Sequence, residues 1–539
     1  MDMRRTVIAV AVSFLILLGW NQISIYMGWI PDPALAPDTQ QQAQQPLSGD
    51  FAGPDTLGEL PSDASVVPLP TFRPAPGRDV VVETPLYRAV FYSGGGILRE
   101  FSLKQYRKTL DPASPILQMV APEAAVKAPF GIILDGIPSW SGSSWELVGS
   151  DLTLKDGETG SLTFIGDVNG VRLSRVLTFD ASRYSIKEQV QAQAEQARSL
   201  RLAFTMSTGK LSEGGEYDLT RVAFLDNGSF DDEDSESTLT TGITRAGNFS
   251  WAGIMSNYFL ATIVFAEPSA TLKAKLEGGA FRVAIEKSDI LVGPNQPANF
   301  DVSYFLGPKE QALLNAEPGD LGSAIDYGMF SIVARPLIAM LHFFYNYVGN
   351  WGVAIILLTL VIKIVLWPLS YKSYKSMEQM KKLQPMMAKL KEKYAGDKEG
   401  MNREMMQLYK TYKVNPASGC LPILVQIPVF IGLYQGLLGS IQLRHASFIS
   451  HIPFTDYVWL ADLSVKDPYY ITPIIMGLTM LLQQKLTPAA GDPTQQKIMM
   501  IMPIVFTFLF LNFPSGLVIY WLANNVISIA QQWLQLRRV

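Results

Sequence analysis

One cation stands inside an apolar run. Lys363 falls within Trp351–Leu369, which otherwise carries no charge. A helix rises about 1.5 Å per residue, which puts this ammonium about 18 Å below the outer start of the run. A cation at such depth costs ~2.5–3.5 kcal/mol if nothing pairs with it. Its long stem could let it snorkel to an interface as an anchor. Alternatively, it could face a water-filled cavity. Other polar residues favour the cavity: Thr359 one turn earlier, Gln426 in the next apolar run, and Asn524, Asn525, Ser528, Gln531 and Gln532 in the last one. A sealed apolar bundle would strand that many polar groups. Such a set does no covalent chemistry. It replaces part of the hydration of a polar group that must cross hydrocarbon.

Other chemistries lack their residues. His342, His445 and His451 are the only histidines and are scattered, and Cys420 is the only cysteine. No His- or Cys-based metal centre and no disulfide framework is expected. No Gly-x-x-x-x-Gly-Lys-Ser/Thr nucleotide loop occurs, and no cofactor is implied. With charged residues at 17% of the chain and a net charge of −4, a nucleic-acid binder ruled by charge is excluded.

A second constellation is rich in methionine. Met377, Met380, Leu383, Met387, Leu390 and Tyr394 follow helical spacing, as do Met401, Met405, Leu408 and Tyr412. Ala395-Gly396-Asp397 through Gly400 separates them. The pattern predicts a helical hairpin with an apolar seam over 371–414, bent at Pro385. Methionine is adaptable, so this basic hairpin reads as a docking arm, although each methionine could equally be seam packing.

The elements that position these residues predict an α+β membrane protein. Thr6–Ile30 carries no charge and follows Arg4-Arg5, so 1–30 reads as an N-terminal transmembrane anchor. Residues 31–78, rich in Pro and Gln, read as a flexible linker. Residues 79–320 alternate in short strands, for example Tyr87–Tyr92, Arg172–Phe179 and Tyr184–Gln191, and predict a β-sandwich. Asp231–Asp234 reads there as a solvated acidic turn. Residues 321–350 predict an interfacial helix interrupted or kinked at Pro336. Residues 351–539 predict a five-helix core, with spans at Trp351–Leu369, Leu421–Leu438, Tyr470–Leu482, Ile498–Leu511 and Gly516–Ile529. Gly432-x-x-x-Gly436 reads as a close helix-packing signal.

Charge sets the orientation. Residues 31–325 hold 23 basic and 37 acidic residues, a balance of −14, whereas 371–414 hold 11 and 5, a balance of +6. Basic loops stay inside. Both termini and the hairpin are therefore expected in the cytoplasm, and the β domain on the outer side of the membrane.

Several stretches carry a family resemblance. They include Val348-Gly349-Asn350-Trp351-Gly352, Leu383-Gln384-Pro385, Asn415-Pro416, Gly419-Cys420-Leu421-Pro422, Gln426-Ile427-Pro428, Asp467-Pro468-Tyr469-Tyr470 and Phe513-Pro514-Ser515-Gly516-Leu517. From Asp326 onward the chain resembles the YidC/Oxa/Alb membrane-protein insertases. Val82-Glu83-Thr84-Pro85-Leu86-Tyr87 resembles the start of the periplasmic domain of the Gram-negative YidC type.

The resemblance implies a β-supersandwich, an interfacial helix and five core helices around a hydrophilic groove open to the cytoplasm. It implies insertion and folding of nascent membrane proteins in the lipid bilayer, alone or with the Sec translocon. It maps substrate contacts onto Thr359, Tyr520 and Trp521, beside the groove residues Lys363, Gln426, Asn524 and Ser528. Lys363 stands where the family has an arginine, which keeps the charge but loses the bidentate fork. The chain ends soon after Arg537-Arg538, which argues against ribosome contact through a long basic tail, a contact that the resemblance otherwise implies. Two other readings are a secondary transporter, which calls for inverted repeats that are not seen, and a carbohydrate-binding membrane sensor using the outer domain.

Overall fold

In the strand Val171–Asp180, Val171, Leu173, Leu177 and Phe179 point inward while Arg172 and Thr178 face water. Ser185–Ala194 repeats the alternation beside it. This period of two, sustained over many strands, builds three sheets. The computed structural model describes residues 76–140, 144–211, 218–265, 267–394, 396–412, 414, 421–486 and 493–536. The anchor and nearly all of the linker expected over 1–78 lie outside these residues. Among the described residues, those up to Ile325 form one compact unit and those from Asp326 form another.

The first unit holds sheets of nine, six and five strands. The nine- and six-stranded sheets pack face to face. Phe204 of the six-stranded sheet lies 6.2 Å from Phe300 of the nine-stranded one, with Phe265 between, 4.9 Å from Phe204. Arg175 ties all three sheets together although it is fully buried. Its Nε donates to Glu188 at 2.5 Å, and its two Nη atoms donate to the carbonyls of Gly95 and Phe130. The expected turn at Asp231–Asp234 is instead largely an edge strand, Ser229–Glu233. Arg245 pairs with Asp231 and Arg221 with Asp232, which relieves the like-charge repulsion that an acidic strand would suffer.

The second unit is helical: α1 Ser331–Val348, α2 Trp351–Val365, α3 Trp367–Lys393, α4 Lys398–Thr411, α5 Leu421–Leu438, α6 Ile471–Leu486, α7 Pro493–Phe510 and α8 Ser515–Leu536. α1 lies on α5 where two glycines remove side-chain bulk. A Cβ on Gly432 would meet the Ala334 backbone nitrogen at 3.2 Å, and one on Gly436 would fall against Ile338. Their core joins Ile338 and Leu341 to Leu358, Leu433, Met476 and Val518.

Pro336 does not interrupt its helix: it sits inside a continuous α1, and Pro385 sits inside a continuous α3. The break falls at Leu366, where α2 meets α3 at 63°. Pro368, in the first turn of α3, explains the site: it has no N–H for the Ile364 carbonyl four residues back, and its ring clashes with that carbonyl. Finally, among the described residues Gly328–Val348 is the one single helix long and apolar enough to cross a membrane, and the bent α2–α3 pair passes only jointly. The segment expected at the interface is thus apolar on both faces: it buries Ala334, Ile338 and Leu341 and exposes Ile332, Phe343 and Tyr347.

Candidate functional site: a polar seam between the core helices

α2 begins at Asn350, whose side chain caps it by accepting from the Val353 N–H at 3.1 Å. The same amide donates to the Phe448 carbonyl at 3.1 Å, which fixes the helix start against the outer loop. Counting inward, Thr359 and Lys363 fall on one face, one turn apart, and both are buried. Thr359 satisfies its hydroxyl on the Ile355 carbonyl at 2.7 Å. Lys363, in the last turn, donates from Nζ to Ser528 Oγ at 2.8 Å. That hydroxyl donates in turn to the Asn524 carbonyl at 2.7 Å.

The seam continues along α8. Tyr520, Asn524, Ser528 and Gln531 or Gln532 recur at three- and four-residue spacing, a single helical stripe. Gln426 of α5 donates to the Asn524 side chain, and Asn525 donates to Thr479 of α6 at 3.3 Å. One polar network therefore reaches α2, α5 and α8, and a separate bond ties α8 to α6. Within the seam, Trp521 Nε1 and Gln531 Oε1 are buried without a hydrogen-bond partner among the described residues. Lys363 has no carboxylate partner among the described residues either. An orphaned donor, an orphaned acceptor and a cation with no carboxylate among the described residues leave unmet hydrogen-bonding capacity in the seam.

Above the network an aromatic layer packs on Trp521. Phe430 meets it edge-on at 4.8 Å and Phe510 lies 5.1 Å away, with Phe513 stacked on Phe510 at 4.9 Å. Sequence reasoning missed this layer and Thr479. Aromatics in apolar runs give no periodic signal of their own, and a lone threonine in such a run is a weak one.

Of the residues expected in the groove, Lys363, Gln426, Asn524 and Ser528 are joined by hydrogen bonds. Thr359 and Tyr520 are buried on the same helices, and Trp521 joins the aromatic layer. The hairpin methionines divide differently. Met380 and Met387 are buried in the seam between α3 and α4 with Leu383 and Val414, and Met405 packs against them. Met377 and Met401 are half-buried. The methionine that is openly exposed is Met406, at 56%, with Tyr412 also turned outward.

Outside the helices, the loop between α5 and α6 is held by buried acids. Asp467 accepts from Trp459 Nε1 at 3.0 Å, from the Tyr469 N–H at 3.0 Å, and from the Thr472 N–H and hydroxyl at 2.7 and 2.8 Å. His445 lies 3.9 Å from Asp462. Burial, followed by the Arg444 guanidinium, holds the His445 imidazole below its ordinary value of 6.5, against the opposing pull of Asp462. No cluster among the described residues could hold a metal ion.

Comparison with known proteins identifies the family. The model of the 60Kd inner membrane protein family matches residues 343–539, and that of the YidC periplasmic domain matches residues 79–340. The chain is 56% identical to the membrane protein insertase YidC of Nitratidesulfovibrio vulgaris and 51% identical to that of Oleidesulfovibrio alaskensis, in both cases over the full length of both chains. Among solved structures it is similar to an active YidC insertase with its first transmembrane domain resolved, at 19% identity and a TM-score of 0.35, covering 86% of this chain and 96% of that one. The two family models between them cover the sandwich and the helical unit, and the full-length relatives carry one name: the chain belongs to the YidC family of membrane protein insertases.

Proposed function

We propose that this chain inserts membrane proteins through the seam between α2, α5 and α8, with Lys363 as its central charge. The observation that carries the reading is the Lys363–Ser528 contact: a buried cation held by a neutral hydroxyl and, among the described residues, balanced by no carboxylate. The polar flank of a substrate enters from the cytoplasm. Lys363, Asn524, Gln426 and Ser528 replace part of its hydration, while Thr359, Tyr520 and Trp521 border its path. The adjoining apolar segment then leaves along α2 and α8 into lipid, driven by ~25 cal/mol per Å² of apolar surface removed from water. No covalent step is needed.

The arrangement in the membrane follows from charge and apolar runs. Residues 1–30 anchor, 31–78 link, 79–320 lie in the periplasm, 321–350 connect, and 351–539 supply five spans, six in all, with both termini cytoplasmic. The balance of −14 over 31–325 and +6 over 371–414 supports that orientation. The α3–α4 hairpin receives substrates on its outward face, where Met406 and Tyr412 are exposed and Met377 and Met401 are half-buried, while Met380, Met387 and Met405 hold its two arms together. The chain works alone or beside the Sec translocon. Full-length relatives named as insertases speak against a transporter or a sugar sensor.

Site-specific photocrosslinking tests the path. Probes at Thr359, Tyr520 and Asn524 should capture a stalled nascent chain. A probe at Val526, exposed on the far side of α8, should not. Equal capture at Val526 would remove the groove from the account.

A further inference from the structure

The sandwich unit holds a cavity that the insertase reading does not use. It measures about 280 Å³ and lies between Ser182–Tyr184, Phe305 and the short helix Gln311–Asn315. Tyr184 and Phe305 wall it, their rings edge-to-face at 6.4 Å, and Leu313 closes another side. Glu317 lines it with a side chain only 4% exposed. One carboxylate oxygen lies 3.5 Å from Arg183 Nη1. The other, Oε2, is buried and has no hydrogen-bond donor among the described residues. Arg183 is partly open to solvent. Its Nη1 donates to the Ala316 carbonyl at 3.1 Å and its Nε lies 3.6 Å from Asp180, which leaves Nη2 uncommitted among the described residues.

A buried carboxylate oxygen without a donor is costly to leave unmade, so the cavity is suited to a small group that brings one. An ammonium supplies three donors, and aromatic faces favour it further. The uncommitted Nη2 of Arg183 offers a single charged donor to an anion such as phosphate. The volume sits at the low end for ligand pockets, which suits a headgroup and excludes a folded peptide. We propose that this cavity binds phosphoethanolamine, with the ammonium on Glu317 and the phosphate on Arg183. The group could arrive free or as the head of a lipid.

Calorimetric titration of the full chain in detergent with phosphoethanolamine tests this. Saturable binding near a Kd of about 1 mM is expected, weaker for ethanolamine or phosphate alone. Glu317→Gln and Arg183→Gln should each weaken it about tenfold. Leu313→Phe fills the cavity and keeps both charges, so it decides the matter if either charge variant unfolds; it should abolish binding. Native mass spectrometry from phosphatidylethanolamine vesicles distinguishes the sources. Lipid retained by the natural chain and lost in Leu313→Phe assigns a lipid head, whereas binding of soluble phosphoethanolamine alone assigns a free ligand. No saturation below about 10 mM, or binding unchanged in Leu313→Phe, overturns the proposal.

Discussion

Replacing Lys363 by methionine should stabilise the chain while it impairs insertion. Lys363 is 7% exposed, and among the described residues its ammonium makes one hydrogen bond, to Ser528. Placing a cation at that depth costs ~2.5–3.5 kcal/mol. A hydrogen bond from a charged donor returns about 1.5 kcal/mol at the lower end of its range. Methionine keeps the length and the packing, and Ser528 keeps its bond to the Asn524 carbonyl. The difference predicts a gain of ~1–2 kcal/mol, equivalent to roughly 2–6 °C in the unfolding midpoint. Thermal unfolding in lipid nanodiscs, followed by tryptophan fluorescence, reads it. A residue kept for function at the expense of stability behaves this way. A drop of several degrees in Lys363→Met would refute the reasoning and make the lysine a structural tie between α2 and α8.

Three further outcomes follow from the packing. Arg175→Met should lose ~3–5 kcal/mol, because it takes the charge partner from buried Glu188, while Arg175→Met with Glu188→Leu should recover only part of that, since the Gly95 and Phe130 carbonyls still lack their donor; limited proteolysis of the sandwich measures both. Asp467→Ala removes the acceptor of four donors and should cost about 3 kcal/mol or more, seen as a lower unfolding midpoint, with Asp467→Asn intermediate. The depressed His445 predicts a pH dependence: the unfolded imidazole binds its proton first, so stability is full above about pH 6.5 and falls as the pH drops through that value. His445→Gln should flatten that part of the curve in unfolding midpoints taken across pH 5 to 8.

The strands were the most legible part of the chain, because burial of one face writes itself as a period of two. Tyr87–Tyr92 coincides with its strand, and Arg172–Phe179 lies one residue inside Val171–Asp180 at each end. Asp231–Asp234 misled because acidic residues signal a turn until partners such as Arg221 and Arg245, ten or more residues away, are brought alongside. The polar stripe from Asn524 to Gln532 could be read from helical spacing, as could the face shared by Thr359 and Lys363. What the spacing could not give was pairing. That Lys363 meets Ser528, and Gln426 meets Asn524, depends on how α2, α5 and α8 are rotated, which apolar runs leave undetermined. The methionines show the same limit: helical spacing marks a seam and a docking face alike, and only packing assigns Met380 and Met387 to the seam and leaves Met406 exposed.

The central claim is that a buried positive charge assists a polar flank across. It is tested most directly by insertion of a short single-span substrate into proteoliposomes, with the flank acidic or neutral. With Lys363→Ala, insertion of the acidic-flank substrate should fall about tenfold or more and that of the neutral one much less, while Lys363→Arg should retain the acidic-flank activity. Full insertion of the acidic-flank substrate by Lys363→Ala would contradict the account.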